Sequence, residues 1–481
     1  MAIMNPVAVV GLEIHARIQT GRKLFCGCPV REEAPPNSTV CPVCMGYPGT
    51  LPVPDRQAAA LAIDLALALH MTIHRNWQFV RKNYFYPDLP KGYQITMMDH
   101  PVATGGFLQW HRQGRAGKTR LRRLHLEEDA ARLIHDEPFC PDSMTLIDFN
   151  RCGMPLLELV TEPETLDVGQ VDDMLHYYQA LLRTLKISDA DMEKGHLRID
   201  VNVSLPDFGS SHENAPVEIK NVNSFHMIRK AIQAEIHRQR TLKPVRGRVH
   251  RETRRYNPVT DVSEHLRFKE SLSDYRYFPE PDLPGIEISE SFITSRKNRL
   301  PDPPETRFKW LAEELCLKKD YAEFLSMHPP VFDRFCSIFQ CDADPREAAH
   351  YVMQTERMLQ ARFPEKPMPE PSAIARVLNA VIRGIITRKA AAEVCVKSVE
   401  SNGSPDHIFE EYRDAPQITD DTLKTLVESV MSGFADELAA YQSGKRGLFG
   451  FFMGRILAAA PDSIDPVRVK AVLERYISSN N

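Results

Sequence analysis

The chain has no excess of either charge: 60 Lys and Arg stand against 64 Asp and Glu, a net of −4. That balance excludes a protein that holds nucleic acid by bulk attraction, so any RNA-facing surface must be local. Glycine is scarce beside proline, 23 against 36, which argues for stiffened loops over flexible linkers. Long apolar runs are missing as well. The longest, around Ala58 to Met71, is interrupted by Asp64 and is too short to span a bilayer. No basic stretch precedes an apolar run at the N-terminus, and Glu13 breaks the first hydrophobic segment, so no secretory signal is expected. The reading is a cytoplasmic chain without membrane contact. A phosphate-binding P-loop is lacking too. QGRAGKTR offers Gly117, Lys118 and Thr119, but Arg112 stands where the first glycine is required, and the segment reads as a solvated basic turn.

What is there is enough to build a core. Hydrophobic residues make up 43% and charged residues 26%, the balance of a soluble globular protein, and 481 residues correspond to roughly three domains. In VAVVGLEIHARI, a period of two puts Leu12, Ile14, Ala16 and Ile18 on one face and Glu13, His15 and Arg17 on the other. LRIDVNVSL repeats the pattern, with Leu197, Ile199, Val201 and Val203 opposite Arg198, Asp200, Asn202 and Ser204. A strand face carrying Arg, Asp and Asn is either wet or lines a cleft. Helices are predicted between these strands: one capped by Asp55, one following Val168, Val171, Leu175, Tyr178, Leu182 and Leu185, and one capped by Ser224. The fold class is therefore α+β, with an antiparallel or mixed sheet. After NRLPDPPETRFKW the strand signal fades into helix formers. The expected domains are 1–294, 295–403 and 404–481.

Four of the ten cysteines, Cys26, Cys28, Cys41 and Cys44, form C-x-C, twelve residues, then C-x-x-C. Two close thiolate pairs across a Pro-rich loop suit tetrahedral zinc, and a site filled by four thiolates leaves no open position for water. This predicts a structural zinc knuckle. Cys140, Cys152, Cys316, Cys336, Cys341 and Cys395 show no pairing pattern and read as ordinary reduced residues.

Acidic residues from separate segments offer a second metal: Glu13 and His15 on one strand face, Glu127, Glu128 and Asp129 in HLEEDAAR, and Glu158 in PLLELVTEPE. Converging carboxylates could hold Mg²⁺ and neutralise a nucleotide's phosphates. Arg81, Lys82, Lys91 and Arg276 could clamp phosphate, and Tyr84, Tyr86, Tyr93, Tyr275 and Tyr277 could stack on bases. Between Arg229 and Arg255, ten basic residues against two acidic ones make the best local candidate for an RNA-facing surface.

Taken in order, GLEIH, KLFCGC with CPVC, RKNYFYPDLPKGYQI, RLHLEEDA, NRCGMPLLELVTEPE, MEKGHLRIDVNVS, EIKNVNSF and DYRYFPEPD closely resemble the GatB subunit of the tRNA-dependent glutamyl/aspartyl amidotransferases. The resemblance runs through roughly the first 280 residues and more loosely, through YQSGKRGLFGFFMG, into the tail. It implies a cradle-shaped catalytic domain of the glutamine synthetase/guanidino kinase fold, a helical domain and a YqeY-like, tRNA-binding tail. It also implies ATP-dependent phosphorylation of the side-chain carboxylate of Glu-tRNA(Gln) or Asp-tRNA(Asn), followed by amidation with ammonia. The ammonia would come from an amidase (glutaminase) partner, GatA, with a small third protein, GatC, completing a heterotrimer. By motif position, His15, Glu128 and Glu158 match the Mg²⁺ ligands, with Glu13 beside them. Lys91, Arg198, Asp200 and Lys220 match phosphate contacts, joined by Arg276. The reading from another class is a zinc-containing RNA-binding adaptor without catalysis, which would have no use for the dispersed carboxylates.

Overall fold

In the computed structural model, residues 7–31, 33–135, 144–205, 215–246, 249–268, 272–413, 419–460 and 466–479 are described. Cys140 and residues 247–248 of the basic stretch lie outside them. The chain divides into two compact units, Met1–Arg307 and Phe308–Asn481.

The first unit is built on an eleven-stranded mixed sheet. Its central strand is Val7–Arg17, where alternating Val, Leu and Ile suit a pleated surface with one apolar face. Leu197–Ser204 pairs with it antiparallel on one side and Pro155–Thr161 on the other; Arg115–Glu128 then pairs with Pro155–Thr161. Beyond Leu197–Ser204 come Val217–Lys220, Glu252–Asn257 and Val262–Phe268, and the contact between the first two of these is parallel. The expected face division holds: Leu12, Ile14, Ala16, Leu197, Ile199, Val201 and Val203 are all buried. Burying such side chains contributes about 1.5–3 kcal/mol each, the main force fixing this register.

The predicted helices form where their caps allow. Asp55 accepts from Ala58 N at 2.8 Å and starts Arg56–Ala68. Asp167 and Gln170 form a reciprocal capping box at the head of Val168–Thr184. Ser224 accepts from Met227 N at 3.1 Å ahead of Phe225–Arg246, whose Ile228, Ile232 and Ile236 are buried. Asp64, which interrupts the apolar run, is buried because Arg296 grips both its carboxylate oxygens. No helix among the described residues is long and apolar enough to cross a membrane.

The QGRAGKTR segment is a hairpin, its turn formed by Gln113 and Gly114 at φ 51° and 71°. Gly117 is required there by packing, since a Cβ would stand 2.1 Å from Trp110 Cζ2. The basic turn is not simply solvated, as expected, but paired: Arg112 reaches Asp173 at 2.9 Å, Arg115 reaches Asp173 at 2.6 Å, and Arg120 reaches Glu164 at 2.7 Å. Buried Asp173 needs those partners.

The second unit is helical throughout its described residues. One core gathers residues such as Leu311, Phe335, Tyr351 and Ile374, and a separate one gathers Leu423, Val427, Met431, Phe452, Ile456 and Leu473. Leu426, Val430 and Phe434 pack at the margin of that second core.

Candidate metal and anion site

The polar face of the central strand carries Glu13 and His15. Register decides what faces them. His15 lies opposite Glu158 on one neighbour and Arg198 on the other, Glu13 lies opposite Asp200, and Glu158 in turn lies opposite His125. Residues directly paired across antiparallel strands project from the same face, so four strands deliver side chains to one place. His15 Nε2 stands 3.3 Å from Glu127, 3.7 Å from Glu158 and 3.8 Å from Glu13.

Glu128, expected beside His15, is elsewhere. On Arg115–Glu128, buried Leu124 and Leu126 occupy the apolar face, so alternation sends Glu128 with them and turns His125 and Glu127 toward His15. Glu128 pairs with Lys91 and accepts from Ile95 N at 2.9 Å. Glu127 is the carboxylate that completes the cluster, held by Thr96 Oγ1 at 2.9 Å. Lys91, expected to contact phosphate, is the partner of Glu128 and is buried with it. Arg276 is exposed, and its carbonyl anchors the DYRYF segment by accepting from Asn83 Nδ2 at 2.8 Å. Its side chain has no ion pair among the described residues.

The remaining cations are close at hand. Arg198 pairs with buried Asp129 at 2.7 Å, and Lys220 with Asp200 at 2.5 Å and Glu218 at 3.8 Å. Arg123 and His125 reach Glu158 at 3.2 and 3.6 Å. A cavity of about 560 Å³ opens along this face, where Arg17, Arg31, Arg132, Arg151, Lys194 and Arg198 outnumber Asp148, Glu193 and Asp200 in the lining. It is suited to an anion.

The electrostatics are those of a crowded acidic site. Burial alone would lower His15, but hydrogen bonds to Glu127 and Glu158 outweigh it and hold its pKa well above the ordinary value. Burial and then the Glu158 charge raise Glu13. Glu158 itself is held low: burial opposes ionisation, and His15, His125 and Arg123 overcome it. Burial lowers His125, whose Nε2 is buried with no hydrogen-bond partner among the described residues. Tyr277 is pushed up to about 12, by burial first and then by the charges of Glu158 and Glu127.

An imidazolium among three carboxylates marks a place that demands positive charge, and a divalent cation meets that demand better than one proton. Glu13, His15 and Glu158 each bring a donor atom within 4.8 Å of the others, which fits a cation held by carboxylate oxygens. The sulfurs of Cys26, Cys28, Cys41 and Cys44 also lie within 4.8 Å of one another. A zinc tetrahedron with bonds of about 2.3 Å has edges of about 3.8 Å, so slight contraction would close the set. Cys44 is pulled down to about 5, chiefly by the hydrogen bond from Cys26, which retains the proton.

His125, Glu127, Asp129 and Tyr277 had only partial signals in the sequence. Glu127 could have been preferred to Glu128 from the Leu124 and Leu126 alternation alone. His125 could not be placed without the cross-strand register.

Comparison with known proteins gives the lineage. Residues 8–294 match the family model described as the GatB/GatE catalytic domain, and residues 334–477 match the GatB domain. Curated relatives named as the B subunit of aspartyl/glutamyl-tRNA(Asn/Gln) amidotransferase are similar over nearly the whole chain. That of Thermotoga petrophila is 37% identical over 477 residues, 98% of each chain. That of Persephonella marina is 36% identical over 479 residues, 98% of this chain and 99% of its own. The Brevibacillus brevis protein is 35% identical over 476 residues, 98% of each.

Proposed function

The chain belongs to the GatB/GatE family, and on that premise we propose that it is the subunit that amidates misacylated tRNA. The substrate is Glu-tRNA(Gln) or Asp-tRNA(Asn). A side-chain carboxylate oxygen attacks the terminal phosphorus of ATP, ADP leaves, and ammonia then displaces phosphate from the acyl carbon to give Gln-tRNA(Gln) or Asn-tRNA(Asn). A partner glutaminase supplies the ammonia, and a small third protein completes the heterotrimer. The catalytic step belongs to residues 1–294, a cradle of the glutamine synthetase/guanidino kinase type. Residues 295–403 form the helical domain and 404–481 the YqeY-like tail that binds tRNA.

The observation that carries this reading is the gathering of Glu13, His15, Glu127 and Glu158 on one sheet face beside a basic cavity. A carboxylate is a poor electrophile, so amide formation needs an activated acyl group and charge stabilisation built in advance. Glu13, Glu127 and Glu158 would hold Mg²⁺, which when bound neutralises the phosphate oxygens. Arg198 and Lys220, although paired with Asp129 and Asp200, each retain N–H donors for phosphate. The four-cysteine knuckle would hold a structural zinc.

The test uses the complex of this chain with its glutaminase and small partner proteins, supplied with radiolabelled Glu-tRNA(Gln) or Asp-tRNA(Asn), glutamine, ATP and Mg²⁺. The expected result is amidated tRNA with matching ADP release, both lost without Mg²⁺. Glutamine hydrolysis without amidation of either tRNA would overturn the proposal.

A further inference from the structure

Lys23 is fully buried, at 0% exposure, yet among the described residues no carboxylate stands within ion-pairing distance of it. Lysine is almost never fully buried unless paired. Its Nζ has two partners, Cys44 Sγ at 3.7 Å and the Phe149 carbonyl at 3.4 Å. Cys44 Sγ also accepts from Cys41 N at 3.2 Å. Gly153, at φ 81°, packs against the same pair: a Cβ there would lie in van der Waals contact, 3.5 Å from both Lys23 Cδ and Cys44 Cβ. Lys23 is thus a buried cation aimed at a sulfur.

The charge arithmetic explains the pairing. Four thiolates around a divalent ion leave two negative charges, and of the four sulfurs the one Lys23 faces belongs to Cys44, the buried member of the set; a buried charge needs a counter-charge within hydrogen-bond reach. Resting on the reading of Cys26, Cys28, Cys41 and Cys44 as a zinc site, we propose that Lys23 is its built-in counter-ion and sets how tightly the knuckle holds its metal. A residue outside the ligand set that hydrogen-bonds a ligand typically changes metal affinity by about 10–100-fold when removed. Charge is the property that matters here. A side chain that only fills the space should not suffice.

The experiment takes the full chain in complex with its partner proteins and two variants, Lys23→Met, which keeps the packing and loses the charge, and Lys23→Gln, which keeps a donor. Zinc content is measured by elemental analysis, zinc affinity and release by competition with a chromophoric chelator, and ligand geometry by the thiolate-to-metal absorption of the Co²⁺-substituted protein. Circular dichroism checks folding of both variants. Wild type should hold about one zinc, both variants should bind it about 10–100-fold more weakly, and Co²⁺ spectra should remain tetrahedral. A Met variant that retains zinc as tightly as wild type would overturn the role of Lys23 while leaving the zinc site standing. If Met fails to fold, the Gln variant decides: affinity equal to wild type overturns the proposal. A wild-type protein that takes up neither zinc nor cobalt would instead remove the zinc site, and the proposal with it.

Discussion

Replacing Glu127 by Gln separates the two carboxylates that the sequence places side by side. The change is nearly isosteric, and an amide oxygen can still accept from Thr96 Oγ1, so the strand end should keep its shape. What disappears is one negative charge 3.3 Å from His15 Nε2. At an effective dielectric of about 20 that interaction is worth at most about 5 kcal/mol. Both groups are largely shielded from solvent, so much of it should be felt. The variant should therefore titrate His15 at lower pH than wild type and bind a divalent cation at least tenfold more weakly. Amidation, if it depends on that cation, should fall by about 10²-fold or more, the scale of removing one electrostatic stabiliser. Glu128→Gln is the contrast. It leaves the His15 cluster alone and strands the buried Lys91 ammonium, so the expected cost is stability, about 3–5 kcal/mol. The assays are histidine-selective NMR titration, Mn²⁺ binding, amidation by the complex and thermal unfolding of each variant. If Glu127→Gln amidates at the wild-type rate while a well-folded Glu128→Gln is dead, the cluster around His15 is not the catalytic one.

Three other outcomes follow from the same geometry. The His15 pKa is raised above its ordinary 6.5, so without metal the imidazolium's contribution to stability is complete below about pH 6.5 and fades as pH climbs through the folded value. Divalent affinity should move the opposite way, rising with pH as the proton is displaced; a Mg²⁺ affinity that does not change from pH 6 upward would contradict this. Elemental analysis should find about one zinc per chain, and Cys41→Ser should lower the unfolding temperature more than turnover. Gly46 adopts φ 70° against Lys91, where a Cβ would stand 2.4 Å from Lys91 Cγ, so Gly46→Ala should cost about 1–3 kcal/mol, read by denaturant unfolding.

Much of this architecture is local and therefore legible. Alternation in Val7–Arg17 and Leu197–Ser204 divides the sheet into a buried apolar face and a polar one, and both strands occur where the pattern puts them. Asp55 and Ser224 cap the helices they precede, because a side-chain oxygen two or three residues ahead of free backbone N–H groups acts without help from the rest of the fold. The four cysteines meet for the same reason: a short spacing within each pair limits where the sulfurs can go. His125 and Tyr277 reach the site only through the register of strands and segments far apart in the chain, which no local window encodes.

Glu128 and Lys91 show why counting charges misleads. From the sequence each reads as a free group, one for a metal and one for a phosphate, and in the fold each is the other's partner. Both are withdrawn from solvent, with side-chain exposures of 4% and 8%, and a charge taken out of water must be matched before it can serve any ligand. The same reasoning runs in reverse at His15. There, three carboxylates converge on a single imidazole, and although Arg123 also pairs with Glu158, carboxylates still outnumber the cations that meet them. An acidic residue is therefore a good candidate for binding when its neighbours leave its charge unbalanced, as Glu127 is and Glu128 is not. That criterion needs coordinates, but the parity of Leu124, Leu126 and Glu128 already points to it from the sequence.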